Sequence, residues 1–192
     1  MKHLYFILIA ITLPSCKAII YTAYGIKKPT PKTEAEIRAS ANRHGLMADS
    51  IYSLPLENFA NFTSLPTIKL FSTHGTYIPY SATEDCPAPI PAFISNLRSD
   101  STFKQDTSRA QLPLVLSDFR NLQGESANIS VAKDADFVMV VYWASFVGKR
   151  NKDAREWMQH ALDNHNAKIQ IINVNCDFQA WWDLDSYTKA KM

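Results

Sequence analysis

The side chains best equipped for covalent chemistry are three cysteines, Cys16, Cys86 and Cys176. A thiolate is a nucleophile and a metal ligand, and a thiol pair can carry electrons as a disulfide. Both uses need closely spaced pairs to be legible in a sequence, one Cys-x-x-Cys for redox exchange or two such pairs for zinc. Cys86 and Cys176 stand about 90 residues apart, so a structural disulfide and two unpaired thiols are the readings that remain; a bridge would contribute ~4–5 kcal/mol in the chain-entropy model. Glu84 and Asp85 precede Cys86 and Asp177 follows Cys176, and nearby carboxylates disfavour a thiolate. His160 and His165 miss the i, i+4 spacing of a helical metal pair, and no His-Glu-x-x-His occurs. Gly124-Glu125-Ser126-Ala127-Asn128 lacks the last glycine of a nucleophile elbow and reads as a loop. Asp183 and Asp185, like Glu84 and Asp85, bring no acid/base partner. No catalytic residue, metal ligand or cofactor-binding residue is therefore assigned. Trp143, Trp181 and Trp182 either line a ligand groove, as aromatic anchors do, or fill the core.

The elements that must position these residues centre on 137–175. Phe137 to Trp143 is a nearly unbroken apolar run, the pattern of a strand buried on both faces. After Gly148, apolar residues at 154, 157, 158, 161 and 162 define an amphipathic helix with Arg155 and Gln159 on its wet face. Ile169 to Val174 forms a second β-branched run, so the unit reads as βαβ with parallel strands. Upstream, Thr33-x-x-Glu36 is a capping box opening a helix that stops near Gly45. Residues 67–80 alternate as a hairpin turning at His74-Gly75, with Pro79 confining its second strand to an edge or an end. Phe93, Ile94 and Leu97 mark a short helix, 112–122 lies against the core, and 124–134 is a connector. Asp177 can cap a last helix with Phe178, Trp181 and Trp182 on one face.

Composition suits one domain with one core over 33–192: 46% hydrophobic, 20% charged, formal net charge +2. Neither a basic stripe nor basic residues interleaved with aromatics occurs, so nucleic acid is not an expected partner.

The start of the chain carries a second kind of information. Lys2 and His3 precede an apolar stretch from Leu4 to Leu13, too short to span a bilayer, which ends in Leu13-Pro14-Ser15-Cys16. This junction resembles the lipobox of bacterial lipoproteins; an ordinary secretory signal that happens to hold a cysteine is the alternative. The resemblance implies that 1–15 is removed, that Cys16 is lipidated, and that several acyl chains anchor the protein durably to a membrane. Residues 16–32, with two prolines and adjacent lysines, are expected to act as a tether. Lys17 behind the cysteine points by the enterobacterial sorting rule to the outer membrane, facing the periplasm.

At "VMVVYWASFVGKRNK" the residues resemble the thioredoxin-like superfamily, particularly membrane-tethered thiol-disulfide oxidoreductases of the bacterial envelope. In that family a hydrophobic strand ends in Trp-Ala-x and an aromatic residue leads into Cys-x-x-Cys; here Trp143-Ala144-Ser145-Phe146 matches the approach. The expected fold is α/β, thioredoxin-like, with a mixed sheet made of the hairpin (about 67–80) and the parallel βαβ unit (about 137–175), helices covering it. "TIKLFSTHGTYIPY" looks like the family's opening hairpin, and the later hairpin with its cis-proline beside the active site finds no counterpart at the carboxyl end. The redox positions fall on Val147 and Arg150, neither of which forms a thiolate. The leading expectation is a non-catalytic envelope lipoprotein whose redox-inactive domain binds another envelope protein or a small ligand. A thiol-disulfide oxidoreductase using Cys86 and Cys176, and a structural envelope component, are the alternatives.

Overall fold

A computed structural model describes residues 22–59, 62, 64–80, 90–103 and 106–184. Cys16, Cys86 and the leader over 1–15 lie outside the described residues, as do Glu84, Asp85 and Asp185.

The apolar run becomes β4 (Phe137–Trp143), in which all seven residues are buried. A strand turns successive side chains to opposite faces. Phe137, Met139, Val141 and Trp143 therefore enter one core layer and Val138, Val140 and Tyr142 the other. Beside it β5 (Ile169–Asn175) runs parallel, in register from Phe137 opposite Ile169 to Trp143 opposite Asn175. On the other side β2 (Thr67–Ser72) runs antiparallel to β4, and β3 (Tyr77–Ile78) returns from it through a turn at Gly75. A two-residue strand, β1 (Ile51–Tyr52), pairs parallel with the free edge of β5. The order β1-β5-β4-β2-β3 makes an α/β protein with a five-stranded mixed sheet.

Three helices cover the first face. α1 (Glu34–His44) opens on Thr33 with both bonds of the capping box made, and closes on Gly45 in the left-handed conformation. α3 (Ile90–Ser95) brings Ile90 and Ile94, and α5 (Asn151–Leu162) brings Ala154, Trp157, Met158 and Ala161. A short helix, α2 (Leu56–Phe59), follows Pro55, and α4 (Leu112–Ser117) covers the second face with Leu112, Val115 and the following Phe119. No helix among the described residues is long and apolar enough to cross a membrane.

Three expectations need correction. Leu162, placed on the apolar stripe of α5, is 57% exposed, because the stripe leaves the sheet at the last turn. Asp177 caps no helix: its carboxylate turns back to Ser145, and the chain beyond it makes a bridge with Lys32 and a turn. Residues 22–32, read as part of a tether, lie on the domain: the Lys27 amide donates to Phe146 O (2.8 Å), the Lys32 amide to Phe178 O (2.7 Å), and the Ala180 amide to Lys32 O (2.9 Å). The Leu65–Pro66 peptide is cis and leads directly into β2, against β4.

Candidate functional site

β4 delivers the chain to a turn at its carboxyl end, where loops of a parallel pair converge. Ala144 is still extended; Ser145–Arg150 then follows as 3-10 turns broken at Gly148 (φ 59°, ψ −127°), and α5 begins. Gly148 is required twice over. Its backbone lies in a region side chains avoid, and a Cβ there would lie 2.3 Å from Tyr24 O and 2.5 Å from Gly25 O. The amino-terminal segment crosses the turn at this point.

Buried polar groups hold the turn from below. Asp177, 1% exposed, accepts the Ser145 amide (3.0 and 2.9 Å), the Ser145 hydroxyl (2.8 Å) and the Asn175 side-chain amide (2.8 Å). Gln179 donates to Asn175 Oδ1 (3.1 Å) and Asp177 O (2.8 Å), and Asn151 donates to Ala144 O (2.9 Å). A buried carboxylate is tolerated only when hydrogen bonds replace its water, and here three donors do so. The signal was present in the sequence as Asn175-x-Asp177-x-Gln179 at the end of a strand, but alternate polar residues in a strand ordinarily mean a wet face.

Above the turn is a cavity of about 640 Å³. Phe59, Phe62, Leu65, Phe146 and Val147 make its apolar walls, and Lys27, Lys28 and Arg150 its polar ones. The two degenerate redox positions therefore face the same space, together with the residue preceding the cis proline. On the other side of segment 25–30 a second cavity of about 420 Å³ shares Lys27, Lys28 and Phe146 and adds Arg43, His44 and Lys149. Burial lowers the His44 pKa, with Arg43 adding to the effect, so the imidazole is neutral at pH 7.

The aromatic residues singled out from the sequence are divided. Trp143 lines no groove: it is fully buried in the core, its indole donating to Asn173 Oδ1 (2.6 Å), and Asn173 in turn donates to Met47 O (2.5 Å). Trp182 is buried too, donating to Leu54 O (3.0 Å). Trp181 packs over Gly124, where a Cβ would come within 2.7 Å of its ring, and both tryptophans line a shallow cavity beside Arg120 and Asp183. Cys176 is a free thiol, 1% exposed, whose pKa is raised well above the ordinary value by burial and then by Asp177. His160 accepts or shares a hydrogen with Ser95 at 2.9 Å, His165 is exposed, and no cluster able to hold a metal exists among the described residues.

Lys27, Lys28, Phe59 and Phe62 were not recognisable as site residues from the sequence. They come from segments read as tether and as an irregular stretch, and only the folding of both over the 145–150 turn brings them together. Compared with family models, curated proteins and solved structures, the chain matches none.

Proposed function

We propose that the protein is a bacterial envelope lipoprotein, anchored through Cys16 to the periplasmic side of the outer membrane, with a redox-inactive thioredoxin-like domain that binds a partner or small ligand. The observation that carries the reading is the cavity at the turn after β4. Val147 and Arg150, at the positions where the resemblance implies redox cysteines, line a cavity with apolar walls and the cations Lys27 and Lys28. A concave apolar site with a few convergent polar groups is what a binding site requires.

Two further features support the thioredoxin-like reading. The hairpin that follows Pro66 lies antiparallel to β4, and Leu65 before it reaches the same cavity. Here that hairpin precedes the βαβ unit along the chain. The oxidoreductase alternative has chemistry against it, since Cys176 is sealed in the core and its thiol is held protonated.

The binding reading is tested by placing a photo-crosslinking amino acid at Ser64, on the cavity, or at Gln159, on the wet face of α5, in the full-length protein in intact cells. The expected result is a discrete adduct from position 64 only. Identical patterns from both positions, or none from either, would contradict it.

A further inference from the structure

Resting on that reading of the cavity, the geometry points to an amphiphile of fatty-acid size with an anionic head, carboxylate or phosphate, as the ligand class. The volume of about 640 Å³ falls within the ~300–1,000 Å³ of small-molecule sites. Its apolar walls include rings already held in place. Phe59 meets Phe178 edge-on at 5.1 Å and Phe62 tilts against Tyr142 at 4.8 Å, so the wall loses little freedom when an acyl chain enters.

The same lining carries the positive charges of Lys27, Lys28 and Arg150. Among the described residues no acidic side chain lines the cavity beside Lys27, Lys28 and Arg150, and none of the three forms an ion pair. Asp153, on the first turn of α5, feels the charge of Arg150 without pairing with it, and burial raises its own pKa. The neighbouring cavity extends the positive field through Arg43 and Lys149. Its two acids are committed elsewhere, Glu36 to Thr33 and Lys32, and Asp177 to Ser145 and Asn175. A cationic amphiphile would meet like charge, and a neutral one would gain nothing from the three cations.

The test uses three diazirine-bearing C12 photoprobes differing only in the head: dodecanoate, dodecanol and dodecyltrimethylammonium. Cells producing the full-length protein are labelled with each, and the labelled peptides are mapped by mass spectrometry. Dodecanoate is expected to label the peptides containing 59–65 and 144–150 at least about ten-fold more than the other two. The double variant Lys27→Glu/Arg150→Glu should abolish that preference while labelling by dodecanol persists, showing an intact cavity. A dodecyl phosphate arm tells whether phosphate substitutes for carboxylate. Equal labelling by all heads overturns the anionic class but leaves the cavity a binding site. Absence of label at those peptides from every probe overturns the inference outright, and adduct formation at Ser64 then still decides the broader reading on its own.

Discussion

Cys176 shows how a residue type that invites chemistry can be placed where burial disfavours it. It follows β5, its amide donates to Trp143 O (2.7 Å), and its thiol lies in the apolar layer with Tyr142 and Val174. Desolvation disfavours the thiolate, and the adjacent Asp177 adds like charge. Iodoacetamide should therefore leave Cys176 unmodified in the native protein at pH 8, and should label it after denaturation without reductant, as a peptide map would show. Rapid native labelling would place the thiol at the surface. Asp177 teaches the converse lesson. Its position after a strand suggested a helix cap, and it does satisfy amide and hydroxyl donors, but those of Ser145, some thirty residues earlier in the chain. Local spacing identifies an acceptor; it does not identify which donor the fold will bring.

At the scale of elements, what could be read was what periodicity controls. β4, α5 and β5 lie where the apolar run, the 3.6-residue stripe and the second β-branched run put them, and α1 makes the capping box that its four residues spell. What could not be read depends on contacts between distant segments: the two-residue β1, too short for any pattern, and the docking of 22–32 on the 145–150 turn. Two outcomes test the elements. Trp157 is 2% exposed beneath α5, so Trp157→Ala should cost ~3–5 kcal/mol in denaturant unfolding; a loss under about 1 kcal/mol would mean a surface position. The second concerns α1. The Thr33 amide first, then Lys32 and the Thr33 hydroxyl, hold Glu36 down to about 2 from the ordinary carboxyl value. A depressed carboxyl pKa makes its contribution fully present above the unfolded value and lost as pH falls through the folded one. Amide protection in the first turn of α1 should accordingly decline between about pH 4.5 and pH 2, and Glu36→Gln should remove that dependence. An unchanged profile in the variant would show that the capping box is not responsible.

For the whole molecule, the start of α5 and the amino-terminal segment meet at one place, the carboxyl end of β4. The resemblance drawn from the residues around Trp143 implied a redox turn there, and the chain supplies instead a glycine-broken turn with Val147 and Arg150 facing an apolar cavity bordered by lysines. That substitution is the basis for reading the domain as a binding module, because a valine and an arginine can select a ligand but cannot exchange a disulfide. The most direct measurement is insulin disulfide reduction by the purified full-length protein with dithiothreitol as electron source. The expected rate equals the background without protein and is unchanged by Cys176→Ser. Turnover above background that Cys176→Ser or Cys86→Ser abolishes would contradict the account.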